Sequence, residues 1–247
     1  MPQSEIYLSV IVPAYNEAER LPKTLRRFQE YLSAKAFRYE IIVVLDGPTD
    51  RTREALEMLV PEIDHLRVLG RAVNRGKGYT VKEGMLDASG HVRLFSDADN
   101  STDIAHFDKM QPFFDQGYDV VICSRHPRDA AGAGQVIPQA WHKRLFGKLG
   151  NLFVQLVAVR GFWDTQCGFK AFRDQAAEKV FFRAVIDGWG FDVEVLALAR
   201  ALNYRIGIVP ARWINDPKSH VGFTTYLQTL RESLAVRYYL SKGKYSL

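Results

Sequence analysis

The chain has 247 residues, 47% of them apolar, and a net charge of +5 at neutral pH with a pI near 9.1. That apolar content can fill one large core and excludes a disordered chain, while the basic balance suits an anionic partner: nucleotide, phospholipid surface or nucleic acid. The two cysteines, Cys123 and Cys167, show neither disulfide nor metal-ligand spacing, so a reducing compartment is expected.

The start, Met1 to Glu5, is polar and carries no secretory pattern. The longest uncharged apolar stretch, Leu149 to Val159, is far shorter than the roughly 20 residues that cross a bilayer. A cytoplasmic protein, soluble or peripheral on a membrane, is therefore expected, and the Asn100-Ser101-Thr102 sequon is accidental.

Leu8 to Val12 is a short apolar run closed by Pro13. Glu17 to Lys35 then repeats Leu21, Leu25, Phe28 and Leu32 on one helical face, giving strand and helix. Ile41 to Leu45 is a second buried strand ending at Asp46-Gly47-Pro48, followed by helix from Thr49 to Leu59 with Thr49 or Asp50 placed to cap it. The alternation continues through strand Leu66 to Leu69, helix Gly78 to Ala88, strand His91 to Phe95, helix Asp103 to Gln116 and strand Asp119 to Cys123. Near-continuous apolar strands alternating with helices predict an α/β fold, an open and mostly parallel sheet covered on both faces. Ligands of such sheets sit beyond the carboxyl ends of the strands, where Tyr15, Glu17, Asp46, Asn74, Asp97, Asp99 and Arg125 collect.

The second half loses this rhythm. Ser124 to Pro138 carries Arg125, Arg128 and several small residues, which suits a mobile loop over a site. Gln139 to Val159 reads as an amphipathic helix with Trp141, Leu145, Leu149, Leu152, Phe153 and Leu156 on one side and Arg144, Lys148, Asn151 and Gln155 on another. Strand is expected over Gly168 to Arg173, helix over Asp174 to Ala184 and Asp192 to Leu202, and strand over Arg205 to Trp213. The tail, Phe223 to Leu240, is a second amphipathic helix with Phe223, Leu227, Leu230, Leu234 and Tyr238 in line.

One stretch carries chemistry. Val92 to Phe95 drops directly into Asp97-Ala98-Asp99, and residues i and i+2 at a strand end project the same way. Two carboxylates so placed can share a hard divalent ion, Mg²⁺ or Mn²⁺, when a substrate diphosphate supplies further oxygens. The bare pair fits equally a turn that closes a strand. No Gly-x-Gly-x-x-Gly follows the first strand, and no Gly-Lys-Ser/Thr, Gly-x-Ser-x-Gly or His-Glu-x-x-His occurs. The usual marks of dinucleotide oxidoreductases, P-loop enzymes and common hydrolases are thereby missing.

With Val12-Pro13-Ala14-Tyr15-Asn16-Glu17, Asp46-Gly47-Pro48-Thr49-Asp50, Asn74-Arg75-Gly76-Lys77-Gly78 and Asp97-Ala98-Asp99 in this order, the chain resembles the family 2 glycosyltransferases of the GT-A fold. Asp164-Thr165-Gln166-Cys167-Gly168-Phe169-Lys170, Gly190-Phe191-Asp192-Val193-Glu194 and Trp213 ahead of Ser219 are similar to the dolichyl-phosphate β-glucosyltransferase branch. The resemblance runs from about Leu8 to Val221. It implies a single GT-A domain: a nucleotide-sugar-binding half (1–124), an acceptor half (125–221) and a C-terminal amphipathic helix (222–247).

In the donor site that the resemblance implies, Pro13, Tyr15 and Glu17 line the base and ribose, Asp46 accepts from the base N–H, and Lys77 helps hold the nucleotide. Gln166 joins that set, and Asp97 and Asp99 hold the ion on the diphosphate. Tyr15 suits ordinary packing as well, Asp46-Gly47 a simple turn, and Asn74 to Gly78 a solvated loop. Four departures stand out. Leu45-Asp46-Gly47-Pro48 replaces the usual Asp-Asp-Gly-Ser while keeping the acid expected to face the base. His220 stands where a Lys often follows Ser219. Ser101 stands where mannosyl relatives often carry a Gln, which favours the glucosyl branch. The membrane span of eukaryotic members is not found in the sequence.

The implied reaction is inverting transfer of a hexose, with UDP-glucose as donor and GDP-mannose as its competitor, onto a polyprenyl or dolichyl phosphate. Arg125 and Lys170 are the expected cations at the reacting phosphates, with Arg144 and Ser219 beside them. A phosphate monoester, with its second pKa near about 6, attacks as an anion and needs no strong base. A glycan hydroxyl would need one. Asp192 is then a base for a hydroxyl acceptor, a helix cap, or a residue that shapes the acceptor site, with Asp164 as the alternative base. Glu194 suits a solvated face or a partner for a site arginine. Arg128 and Arg160 read as surface charges. A lipid acceptor also implies a membrane surface as partner, with both amphipathic helices as candidates for lying in the headgroup layer. The rivals are a family 2 transferase with a glycan acceptor, an inactive nucleotide-sugar-binding protein, and a nucleic-acid binder. Scattered basic residues and the lack of an aromatic-basic motif argue against the last.

Overall fold

A strand that is apolar at nearly every position has to be covered on both faces, and the sheet at the centre of the molecule is built from such strands. The computed structural model describes residues 5–135, 150–214 and 223–246, without the side chains of Gln135 and Phe223. The first half alternates β1 (Leu8–Ala14), α1 (Leu21–Ser33), β2 (Tyr39–Asp46), α2 (Thr52–Leu59), β3 (Leu66–Arg71), α3 (Lys77–Asp87) and β4 (Val92–Ser96). A single 3₁₀ turn (Ile104–His106) leads into α4 (Phe107–Asp115), then β5 (Val120–Ser124) and β6 (Gly134–Gln135). The second half holds α5, described over 150–157, then β7 (Phe169–Arg173), α6 (Asp174–Arg183), α7 (Phe191–Ala201), β8 (Ile206–Pro210), β9 (Arg212–Trp213) and α8 (Phe223–Ser241).

Seven strands form one sheet in the order β3-β2-β1-β4-β7-β5-β8, parallel except for β7, which runs antiparallel to both neighbours. Val10 and Val12 of β1 face α1, against Leu21, Leu25, Phe28 and Leu32. Ile11, the residue between them, belongs with Val81 and Met85 of α3 and Leu196 of α7 on the other face. The period-two alternation of a strand thus divides one run of apolar residues between two cores.

Several expected boundaries move, each for a local reason. β1 continues through Pro13 to Ala14, because β4 has left its side after the pair Ile11–Phe95 and the missing N–H falls where β1 has one neighbour. α1 starts at Leu21 rather than Glu17. Asn16 takes a left-handed φ of 55°, and its side-chain oxygen accepts the Thr49 N–H at 2.8 Å, which turns the chain first. α2 starts at Thr52, after Asp50 has accepted the Thr52 N–H at 2.9 Å, with Arg51 at the N-cap. The strand expected over Arg205 to Trp213 is two strands. β8 ends at Pro210 in the main sheet, and β9 pairs in a separate ribbon with β6, which lies inside the expected loop Ser124 to Pro138.

The two expected amphipathic helices are helical where described, but their apolar stripes face outward. In α8, Leu227 and Leu234 are both 52% exposed and Tyr238 is exposed, while Thr229, Ser233 and Val236 are buried. Small side chains allow a close approach to the body of the protein, and the buried hydroxyls satisfy themselves along the helix: Thr229 donates to Thr225 O at 2.9 Å and Ser233 to Thr229 O at 2.7 Å. In α5, Val154 is buried and Leu152 and Leu156 are exposed. Among the described residues no helix is long and apolar enough to cross a membrane. Trp141, Arg144, Leu145, Lys148, Leu149, Ser219 and His220 lie outside the described residues.

Candidate active site

The carboxyl end of β4 delivers Asp97 and Asp99 next to the start of α3. The Asp97 N–H donates to Gly168 O at 3.0 Å, and a Cβ on Gly168 would stand 1.9 Å from Asp97 Oδ2, so only glycine lets the approach to β7 pass against that carboxylate. Lys77, the first residue of α3, sets its Nζ 2.6 Å from Asp97 Oδ1. Burial pushes the Lys77 ammonium down, but the charges of Asp97, Asp192 and Asp99 outweigh it and hold its pKa above the ordinary lysine value. Asp99 accepts the Ser101 N–H at 2.9 Å, yet burial and the neighbouring charge of Asp97 raise its carboxyl. Next to it, Asn100 Oδ1 is buried without a hydrogen-bond partner. Glu17 is gripped by Arg20 in a two-pronged pair at 2.6 Å on each oxygen. Burial, with Asp99 and Asp97 adding to it, still pushes Glu17 up to about 7.

Asp46 ends β2 and is buried. It accepts from the Arg71 guanidinium at 2.7 Å and from the backbone N–H groups of Arg75 and Gly76 at 2.8 and 2.9 Å. Of a carboxylate's roughly four lone-pair positions, one is left for another donor. The loop before α3 is therefore hung on Asp46, and Gly76 takes a φ of 105° to make the turn. Pro13 lies at the end of β1, Tyr15 beyond it is 42% exposed, and Gln166 reaches toward α8, 3.4 Å from Thr229 Oγ1.

The second group of charges lies across β7 and β5. Lys170 sits mid-strand and is fully buried. Its ammonium donates to Cys167 O at 2.7 Å and to Asp192 Oδ1, with the Phe95 ring 5.2 Å away. Asp192 is not the cap of α7. Gly190 holds that position, and Asp192 in the first turn faces Lys170. Burial raises the Asp192 carboxyl against the pull of Lys170 and Lys77. Arg125 is clamped by Asp164 through two guanidinium bonds of 2.7 Å and a backbone bond of 2.8 Å, and stands 5.3 Å from the Trp213 ring. Burial alone would raise Asp164, but Arg125 holds it below the usual carboxylate range.

Lys77, Asp97, Asp99, Lys170, Asp192 and Arg125 thus form one electrostatically linked cluster. Glu194 is neither on a solvated face nor paired with an arginine: it is buried and accepts the N–H groups of Val185 and Ile186. Arg128 and Arg160 are exposed, as expected of surface charges, with the Arg128 guanidinium 4.4 Å over the Trp163 ring. Sequence reading passed over Arg71, Asp129 and Trp189. Asp129 takes the Trp163 and Asp164 N–H groups at 2.8 and 2.9 Å and so sets the arm that clamps Arg125. Its only signal was an acid shortly after a strand end.

Such an arrangement can hold a hard cation on one side and an anion on the other. Asp97, Asp99 and the unpartnered oxygen of Asn100 are the hard donors that Mg²⁺ or Mn²⁺ takes, and the charge crowding on Asp99 is what a cation would relieve. Among the described residues no cluster of three or more acid, His or Cys side chains stands ready, so further ligands would have to come from a bound molecule.

Residues 9–181 match the family model described as Glycosyl transferase family 2. The Dictyostelium discoideum dolichyl-phosphate beta-glucosyltransferase is 33% identical, with 96% of this chain and 76% of that protein aligned. Its Drosophila melanogaster counterpart is 35% identical, over 91% of this chain and 72% of that one. The crystal structure of Mycobacterium tuberculosis glucosyl-3-phosphoglycerate synthase with Mn²⁺, uridine diphosphate and phosphoglyceric acid superimposes with a TM-score of 0.65 at 17% identity, covering 94% of this chain and 77% of that one. That likeness is one of fold, the mostly parallel GT-A sheet. With the motif order, the paired acids at the end of β4 and the match over most of its length in agreement, the chain belongs to glycosyl transferase family 2.

Proposed function

We propose that this family 2 glycosyltransferase is an inverting enzyme that moves glucose from UDP-glucose to a polyprenyl phosphate of the dolichyl type, at a membrane surface and with a divalent ion. The observation that carries the reading is the facing of two charge groups. Asp97 and Asp99, with Lys77 on Asp97, stand beside the buried Lys170–Asp192 pair, in a chain 33–35% identical to dolichyl-phosphate beta-glucosyltransferases.

Asp97 and Asp99 would hold Mg²⁺ or Mn²⁺, which when bound neutralises the charge that grows on the leaving diphosphate. Lys77 lies next to the same diphosphate and adds a second cation there. Arg125 is oriented by Asp164 before any ligand arrives, so its partly exposed guanidinium can receive the acceptor phosphate without reorganising, while Lys170, fully buried on Asp192, would act on that phosphate through its charge and not by direct contact. That phosphate is already an anion at neutral pH. Asp192, occupied by Lys170, then keeps that ammonium aimed and has no proton to abstract. Tyr15, Glu17 and the remaining acceptor position of Asp46 would receive ribose and base. The outward stripe of Leu227, Leu234 and Tyr238 on α8, bordered by Arg231, Arg237 and Lys242, suits an anionic lipid surface.

The test is a transfer assay with Mn²⁺, a short polyprenyl phosphate, and UDP-glucose and GDP-mannose in parallel. Lipid-linked glucose that disappears with a chelator supports the reading. Transfer of mannose instead, or transfer only to glycan hydroxyls, would replace it.

A further inference from the structure

Between α6 and α7 the chain crosses as a loop, 184–190, and this loop is held at both ends by carboxylates that the reaction itself does not use. At its start, the Val185 and Ile186 N–H groups donate to the two oxygens of Glu194 at 2.9 Å each. The Tyr245 hydroxyl, from the end of the chain, donates to the same carboxylate at 2.8 Å. At its close, the Gly190 N–H donates to Glu232 of α8 at 2.6 Å. Glu194 is fully buried, so these three donors are what keeps its carboxylate there.

The front of the loop meets α3. Asp187 O accepts the N–H groups of Gly78 and Tyr79 at 2.8 and 3.2 Å, two of the donors that the first turn of any helix leaves open. Side chains at Gly76 and Gly78 would strike the loop, with Cβ positions 2.4 Å from Asp187 O and 2.3 Å from Ile186 O. The Trp189 and Phe191 rings lie 5.2 and 5.8 Å from Lys77 Nζ. Loop and helix start therefore move as one piece, and Lys77 is the first residue of that helix. A cavity of about 520 Å³ opens between the loop, Asn74 to Gly76 and α8, and on its α8 side the loop meets Gln228 and Glu232 through Gly188 and Gly190, where a Cβ would stand 2.2 and 2.5 Å from Glu232 atoms.

We propose that Glu194, together with Tyr245, is a positioning residue for the Lys77 ammonium. It pins loop 184–190 onto α3 so that Lys77 is aimed at Asp97 before a donor binds. The turn after α8, which carries Tyr245, thereby helps to shape the donor site. The inference rests on reading Lys77 and Asp97 as donor-diphosphate groups.

Glu194→Gln replaces one acceptor oxygen by a donor facing an N–H, and Tyr245→Phe removes only the hydroxyl, which keeps the test open should the first variant not fold. Two measurements are read on each: hydrogen exchange at the Gly78 and Tyr79 amides, and titration with UDP in the presence of Mn²⁺. Faster exchange at both amides is expected, with UDP affinity reduced about threefold in Tyr245→Phe and about tenfold in Glu194→Gln. Adding Glu194→Gln to Lys77→Met should weaken UDP no further than Lys77→Met alone. Ser9→Ala is the control. It removes a buried hydroxyl that bonds Glu40 and Gly90 at the other end of the sheet, and should lower the melting temperature while leaving both readouts unchanged. Unchanged exchange at Gly78 and Tyr79, or additive losses in the double variant, would overturn the inference. Normal UDP binding by Lys77→Met would instead sink the donor-site reading, and the exchange of the two amides would then decide the inference alone.

Discussion

Two neighbouring regions of the sheet treat charge in opposite ways. At the end of β4, Asp97 and Asp99 stand partly exposed, with Lys77 on one of them and Glu17 close enough to be felt, and acid is in surplus. Across β7 and β5, Lys170 closes on Asp192 and Arg125 on Asp164, each cation matched by its own carboxylate. The first region gains from an added cation. The second is already balanced, and its value is fixed geometry: two cations held in place at the cost of buried partners. A site that must gather an ion with its donor, then receive a second anion without delay, needs both.

The largest effect should come from the region in surplus. Converting Asp97 and Asp99 together to Asn should lower turnover by about a thousandfold or more while leaving the melting temperature unchanged or higher, since like charges are removed. An initial-rate assay beside a thermal melt reads both. The balanced region should respond in the reverse order. Lys170→Met strands the buried Asp192 carboxylate and should cost about 3–5 kcal/mol of stability. The double change Lys170→Met with Asp192→Leu should recover most of that loss in a denaturant titration without recovering turnover. If turnover returned as well, the pair would be structural alone.

Arg125→Lys is a finer probe. A lysine cannot make the two-pronged bond to Asp164, so KM for the acceptor should rise about tenfold while UDP affinity holds. The smallest effect is one of pH. Glu17 keeps its proton up to about 7 in the folded chain but releases it near the ordinary value of 4.5 when unfolded, so the folded state binds more protons in between. Stability should therefore fall as pH rises through that window and level off above it, and Glu17→Gln should flatten the slope in melts across pH. Asp164 tilts the other way: held low by Arg125, it adds stability that is lost as pH drops below the usual carboxylate range.

The same division explains what could be read from the sequence. β1, β2, β4 and β5 announce themselves because strands covered on both faces are apolar at nearly every position, and Asp97 and Asp99 are legible because the motif lies within three residues of one strand end. The balanced region is assembled from distant pieces. Lys170 is expected as a cation at the reacting phosphates, but its full burial follows only from β7 lying between β4 and β5, where both faces are covered. Asp192 looks like a cap because it precedes an apolar helix, and only the placement of β7 turns it toward Lys170. The β6–β9 ribbon, two residues a side, is too short to have a period. In α8 the pattern shows the stripe but not which face packs on the body. Its leucines make the better hydrophobic stripe, yet Thr229 and Ser233 make the closer fit.

The central claim is that an ion on Asp97 and Asp99 joins the protein to a nucleoside diphosphate, and titration of UDP into the protein with and without Mn²⁺ tests it most directly. Binding that appears only with Mn²⁺, and vanishes when both aspartates become asparagine, is the predicted result. Equal UDP affinity with and without the metal, or Mn²⁺-dependent binding that survives the double substitution, would contradict it.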